Sequence, residues 1–490
     1  MIRRAVCALV CLVALAAAWG CSDGGSTGGG GDAGDSDSDS DSDTDSDTDS
    51  DTDDTDTSTV SETWPPYGQS PSMTTQDPGY ATGAGFADID GDGRLDLVIA
   101  DGNDMAPGPL RVYLTGEDGS LPANASWSST ETAYHGHLAL GDVDGDGFTD
   151  AVVSVFLGPG GFSEAGGVAY YRNLDGELTP EPTWTSADAF FTFSVALGDV
   201  DNDGDLDLAV GTGEAYSHGP ENDRLYLNEG GAFQEPAAWI ADDFSYSFDP
   251  VFADFDGDGA LDLAFARSGG PHAIYFNTGE GLPETSPSWE APGGVFEGNT
   301  ADFGDLDGDG AIDLVVSNNN QLWGTGVVDA FCGPDFDTCW TSEDPAEMQS
   351  AVALADLDGD RDLDLAAGAW WGALRFYRNR TEEPGQLDLE TTPSHTTLTA
   401  TVVEAIAFAD LDRGETWEEV VEGDGPLVEL PRRCRVIEAS VDGVAGDGYF
   451  STAETGPVSV TCELTWAPDL IVSDWTPDHG NDLFVHLADE

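Results

Sequence analysis

From about residue 80 onward the chain alternates short apolar stretches with clusters of aspartate and glycine, always in the same order. A stretch such as GAGFA, HLALG, SVALG, PVFA or AVALA comes first, followed by an acidic loop and then by L-D-L-V/A-x-A/G. A third apolar run follows, seen as LRVYL, VAYYRN, RLYLN, AIYFN and LRFYRN. A fourth segment is marked by Trp127, Trp184, Trp239, Trp289 or Trp340, each 15 or 16 residues ahead of the next loop. Short runs rich in β-branched and aromatic residues, bounded by turn formers, read as strands. Four strands per unit, repeated, predict an all-β β-propeller with the tryptophans packed between blades.

The acidic loop is a nine-residue pattern, D-x-D-x-D-G-x-x-D. Its six copies place carboxylates at Asp88, Asp90, Asp92 and Asp96; at Asp142, Asp144, Asp146 and Asp150; and at Asp199, Asp201, Asp203 and Asp207. They continue at Asp254, Asp256, Asp258 and Asp262; at Asp305, Asp307, Asp309 and Asp313; and at Asp356, Asp358, Asp360 and Asp364, where Arg361 replaces the glycine. Successive copies start 54, 57, 55, 51 and 51 residues apart, a regularity of stacked or radial repeats. Calcium takes about six to eight oxygens, and alternating aspartates in a tight loop turn successive carboxylates inward. An EF-hand is excluded because its twelfth position needs Glu, and the first copy has Ile99 there. Magnesium, which demands a near-ideal octahedron, suits so flexible a cage poorly. A merely solvated acidic surface would not keep four aspartates in register six times. With free calcium at about tenfold its Kd, linkage stabilises the fold by ~1.4 kcal/mol per site, or roughly 8 kcal/mol over six sites.

The strand, aspartate hairpin and following strand resemble the FG-GAP or VCBS repeat of integrin α-subunit propellers and of many bacterial surface proteins. The resemblance implies that loop positions one, three, five and nine ligate calcium through carboxylates. It further implies that position seven ligates through its backbone carbonyl, at Arg94, Phe148, Asp205, Ala260, Ala311 and Asp362. It also implies a ligand-binding face opposite the calcium loops. Long loops there carry Tyr216 and His218, Asn318 to Asn320 with Trp323, Trp370 and Trp371, and Trp475 with His479, aromatic and amide groups that suit a sugar ring or a protein hot spot. His135 and His137 form an H-x-H pair without an acidic third ligand. Asp410, Asp412 and Glu418 read as a degenerate seventh loop, and Glu463 and Asp469 as the remnant of an eighth. Ser70 to Met73 mimic the fourth-strand sequence Ser286 to Trp289. These features predict eight blades, the last closed by an N-terminal strand that leaves no free edge; seven blades plus a C-terminal hairpin is the alternative.

Charge narrows the partners. The 490 residues hold 95 acidic and 15 basic side chains, all of the latter Arg, for a net charge of -80. Such a surface repels nucleic acid and anionic lipid, and metal cations are its natural counter-charge. Without Lys there is no Schiff-base chemistry or Walker-type loop. No G-x-S-x-G, H-E-x-x-H or Cys-His arrangement occurs, so a non-enzymatic binding or adhesion module is expected. A polysaccharide-active, lyase-like enzyme and a structural envelope protein are the alternatives.

Residues 1–20 read as an export signal: Arg3 and Arg4, an apolar run from Ala5 to Ala18, then Gly20 before Cys21. The segment is similar to a bacterial lipoprotein signal, which implies a lipid on Cys21, the membrane being reached only through that anchor. Ser22 in place of Asp points to the outer membrane and cell surface, with secretion or the periplasm as alternatives. Residues 21–62, Gly-rich and then Asp-Ser/Asp-Thr-rich, predict a disordered tether, leaving 63–490 for the propeller. Cys332, Cys339, Cys434 and Cys462 predict two disulfides, with nearest-neighbour pairing the simplest.

Overall fold

The computed structural model describes residues 64–409, except 216–217, 280, 295, 323 and 344–346. Beyond these it describes Leu411, the backbone of strands between 416 and 464, and residues 469–474 and 480–484. The signal segment, the tether, Cys21, Tyr216, Trp323, Asp410, Asp412, Trp475 and His479 lie outside the described residues, as do the side chains of Glu418, Cys434, Cys462 and Glu463.

The first blade consists of Ala81–Ala87, Asp96–Gly102, Pro107–Tyr113 and Trp127–Ser128, antiparallel in sequence order. Ala87 pairs with Asp96, so the aspartate loop is the hairpin joining strands one and two. The same closure recurs at Gly141 with Asp150, Gly198 with Asp207, Ala253 with Asp262, Gly304 with Asp313 and Ala355 with Asp364. The second strands of blades one, three, four and five are buried along their whole lengths, and that of blade two at every residue but Val155, as expected of strands covered on both faces.

Among the described residues the sheets make seven blades, not eight. Strand His395–Ala409 serves two of them: its first half pairs with Asp364–Tyr377 of blade six, and its second half with Asp469–Asp474. Ala409 faces Asp469 as Ala87 faces Asp96, so the strands assigned from sequence to an eighth blade belong to the seventh. In place of the seventh aspartate loop stands an insertion whose strands form two small sheets, Thr416–Gly423 with Gly456–Leu464 and Cys434–Ala439, and Leu427–Glu429 with Tyr449–Ser451 and Val444–Gly446. The expected N-terminal closure is present. Met73 pairs with Leu483 in the register in which Trp127 pairs with Val112 and Trp289 with Ile274.

The apolar core is divided among the interfaces between blades. Leu110, Val112, Val153 and Tyr171 join blades one and two; Leu263, Phe265, Leu225 and Trp239 join three and four. Leu97, Tyr113, Ile471 and Leu483 join the seventh to the first and complete the ring. The recurring Trp belongs to these layers. Trp239 Nε1 donates to Pro283 O (3.0 Å) and Trp340 Nε1 to Leu389 O (3.0 Å), each reaching the next blade. Every first strand also carries a bulge at one level, between Ala81 and Gly83 in blade one and between Val403 and Ala405 in blade seven. There a polar side chain catches the next blade's bulge: Thr82 Oγ1 donates to Gly136 O (3.0 Å), Ser154 Oγ to Phe193 O (2.8 Å), and Asn299 Nδ2 to Ser350 O (2.9 Å).

Trp239→Ala empties one such layer and strands two carbonyls, so urea unfolding should show a loss of about 3–5 kcal/mol. Deleting residues 64–75 bares the Leu483 edge of blade seven. The expected outcome is a lower Tm together with self-association on size-exclusion chromatography.

Candidate metal centres

Each aspartate loop is wound around its own first carboxylate. Asp254 Oδ1 accepts from Asp258 N (3.0 Å) and Oδ2 from Gly259 N (2.9 Å); Asp305 does the same with Asp309 N (3.1 Å) and Gly310 N (2.9 Å). The fifth-position carboxylate accepts from the seventh backbone N–H, as Asp258 does from Ala260 (3.0 Å) and Asp146 from Phe148 (3.1 Å). The same set holds in the sixth loop, where Asp356 Oδ2 accepts from Arg361 N (3.0 Å) and Asp360 Oδ1 from Asp362 N (3.0 Å). These bonds fold the loop so that carboxylates converge. Ligand atoms of Asp88, Asp90 and Asp96 lie within 4.8 Å of one another, as do those of Asp254, Asp256 and Asp262 and of Asp305, Asp307 and Asp313. In the second and third loops the converging trio is Asp142, Asp144 and Asp146, and Asp199, Asp201 and Asp203. Buried oxygens without a hydrogen-bond partner remain on Asp88 (Oδ1) and Asp201 (Oδ1). An all-oxygen set with unsatisfied buried acceptors fits calcium. Position seven contributes its N–H to the loop, and its carbonyl is the remaining group for an ion there.

The ninth aspartate has a second task. Asp207 Oδ2 accepts from Val200 N (3.0 Å) in its own loop, and Oδ1 accepts from Asn228 N (2.8 Å) at the end of strand three. Asp150 makes the same pair with Val143 and Asn173, Asp262 with Phe255 and Asn277, and Asp364 with Leu357 and Asn379. Burial pushes Asp207, Asp262 and Asp313 up to about 7 against the lowering effect of those donors, and Asp364 well above its ordinary value.

The asparagines at the ends of the third strands were visible as YRN, YLN and YFN, but their role was not assigned from sequence. Asn173 Nδ2 donates to Ile89 O (2.8 Å), Asn228 Nδ2 to Val143 O (2.7 Å), Asn277 Nδ2 to Val200 O (2.8 Å), and Asn379 Nδ2 to Leu306 O (2.8 Å). Each acceptor is the second residue of the preceding blade's loop. One asparagine thus ties its own ninth aspartate to the neighbouring centre. The signal was the recurrence of Asn at a fixed distance after the loop. Blade five departs, with Gly333 N on Asp313 (2.9 Å) and a Cys332–Cys339 disulfide joining its third and fourth strands.

Glycine at loop position six has a physical reason: Gly93, Gly147, Gly204, Gly259 and Gly310 have φ between 81° and 96°. Arg361 is held at φ 88° in the same place, a conformation costly for a side chain with Cβ.

The other predicted residues scatter. The bulge between His135 and Leu138 separates the H-x-H pair. His135 Nδ1 contacts Asp101 O (2.8 Å), and burial lowers its pKa to about 4. His137 faces the propeller axis, its Nδ1 3.9 Å from Asp249 Oδ1. His218 is exposed, stacks on Phe191 at 4.1 Å and contacts Phe162 O. Asn318 Nδ2 donates to Asp329 (3.0 Å), and Asn319 Oδ1 caps Gln321 N (2.9 Å). Trp370 Nε1 donates to Glu404 Oε2 (2.9 Å) near the axis, whereas Trp371 is 54% exposed. Met105, Phe162, Leu322 and Trp371, on strand two-to-three connections, and Phe244 and Leu398, on connections between blades, are exposed at the end away from the aspartate loops.

A family model described as FG-GAP-like repeat matches residues 88–153, 155–210, 211–265 and 254–316. The chain is a β-propeller carrying FG-GAP-like repeats, and the sixth loop, outside the matched residues, keeps the same hydrogen bonds. No curated protein sequence matches the chain. Among solved structures it is similar to BBS1N in complex with ARL6DN, at 13% identity and a TM-score of 0.43 over 81% of this chain and 95% of that one. It is also similar to the Cps50 (Swd1) β-propeller domain of Myceliophteria thermophila, at 10% identity and a TM-score of 0.45 over 78% and 97%.

Arg361→Gly relieves the left-handed arginine and should raise stability by about 1 kcal/mol in chemical denaturation with calcium present. Glu404 is fully buried, and desolvation raises it to about 7. Its protonated form is favoured on folding, so its contribution is fully present below the usual carboxylate range and is lost as pH rises through about 7. Glu404→Gln should therefore raise Tm more at pH 8 than at pH 5.

Proposed function

We propose that the chain is an exported calcium-binding propeller, held at the bacterial cell surface by lipid on Cys21, that acts as a non-enzymatic binding module for a glycan or a protein. The observation that carries this reading is the convergence of aspartate carboxylates in the first five loops, on one end of the ring, with buried oxygens lacking donors. Calcium would be held by the first, third, fifth and ninth aspartates of each loop and by the seventh carbonyl. When bound it neutralises carboxylates that otherwise repel one another. With the loops committed to structure, recognition falls to the opposite end, where exposed Trp371, Met105 and Leu398 offer apolar anchors on a rigid support. The loop carboxylates are committed to loop architecture, which supports the non-enzymatic reading.

Chelation with excess EDTA should lower Tm by tens of degrees, and returning calcium should restore it; an unchanged melting curve counts against the metal assignment. A glycan array and a cell-binding screen, each run with and without calcium beside a polysaccharide-depolymerisation assay, test the function. Binding without depolymerisation is expected, and Trp371→Ala should weaken it at least tenfold. Depolymerisation would replace this reading with an enzymatic one.

A further inference from the structure

The six aspartate loops are not electrostatically alike. At the residue just before the end-of-strand asparagine, a place that Thr115 takes in blade one, the first, third and fourth blades carry Leu114, Leu227 and Phe276, and the second and sixth carry Arg172 and Arg378. Both arginines turn into the loop of their own blade. Arg172 Nε pairs with Asp144, and its Nη2 lies 3.1 Å from Asp146 Oδ2; these are the third and fifth positions of the second loop. Arg378 Nε pairs with Asp358, and its Nη2 lies 3.8 Å from Asp360 Oδ2, again the third and fifth positions. The guanidinium therefore spans two of the carboxylates that would hold a cation. Arg94 of the first loop is a different case. It meets only Asp92 and its Nε is spent on Thr115 O (3.0 Å), so it spans one loop carboxylate and not two.

We propose that Arg172 and Arg378 are built-in counter-ions that divide the loops into two classes: a calcium-dependent class in blades one, three, four and five, and a class in blades two and six that keeps its shape without metal and binds calcium weakly. This rests on the calcium reading above. A guanidinium is always charged, matches carboxylate geometry and is tethered beside the loop, so calcium must displace it to gain the third and fifth ligands. The two sites should differ in degree. The Arg172 side chain is 42% exposed and can swing into solvent, whereas that of Arg378 is 11% exposed and lies 5.7 Å from the Trp64 ring centroid. The sixth loop, which also carries Arg361 in place of glycine, should be the weakest site.

The test uses the full ectodomain and calcium alone. Isothermal titration of metal-stripped protein should resolve four tight sites and two at least tenfold weaker. Hydrogen–deuterium exchange in EDTA should leave the peptides over 142–150 and 356–364 protected while those over 88–96, 199–207, 254–262 and 305–313 lose protection. Arg172→Leu and Arg378→Leu, which install the residue of the first and third blades, should each convert one weak site into a tight one and make that loop exchange in EDTA. The exchange measurement on the unmodified chain tests the division even where a variant fails to fold. Six indistinguishable sites, or uniform loss of protection across all six loops, overturn the division and leave the calcium reading standing. No calcium uptake at any loop overturns both.

Discussion

A buried aspartate that serves two backbones at once is the interaction on which the propeller depends. The ninth loop residue accepts one N–H from its own hairpin and another from the end of the third strand, so a single carboxylate fixes the loop to the blade that carries it. Two charge-assisted hydrogen bonds of this kind are individually worth more than neutral ones. Burial nonetheless works against the ionised form at these positions. A cation placed among the neighbouring aspartates, or a guanidinium where one is available, offsets that cost. The loop and the packing of the blade are therefore one energetic unit.

The units are joined by a relay. An asparagine whose N–H meets its own ninth aspartate uses its side-chain amide to hold the second residue of the preceding loop, and that residue's N–H in turn meets the preceding ninth aspartate. Order at one centre is thus transmitted to the next through groups that have few alternatives once buried. The apolar layers between blades supply most of the stabilisation, and the relay sets the spacing at which they meet. On the other side of the ring, hydroxyl and amide groups that grip the neighbouring bulges perform the same alignment nearer the axis.

Much of this was legible in the sequence because the repeat multiplies each weak signal. Four aspartates in fixed register, the fourth-strand tryptophans and the Ser70–Met73 echo of Ser286–Trp289 each recur at one place in a unit, and each occupies that place in the structure. What was not legible lay where the repeat breaks. The stretch from Asp410 to Leu464 contains acids and apolar runs of the right kinds, so it counted as part of a further blade. Only the pairing of Ala409 with Asp469 reveals it as an insertion in the hairpin. His135 and His137 looked like one face of a strand. A bulge, which local sequence does not specify, turns them toward different neighbours.

The seventh blade follows from the same constraint that governs the other six. Its hairpin carries the insertion between Ala409 and Asp469, yet Asp469 still stands opposite Ala409 in the ninth-residue register. The blade is completed instead from the other end of the chain, with Met73 at the tryptophan position and Thr74 Oγ1 donating to Asp482 (2.6 Å). Thr75 N and Asn481 O, 2.9 Å apart, extend that seam. A ring closed by noncovalent pairing of its termini is only as strong as its weakest blade. Placing the closure in the blade whose hairpin carries the insertion separates two requirements, since the fastening depends on strand pairing and not on the six aspartate loops.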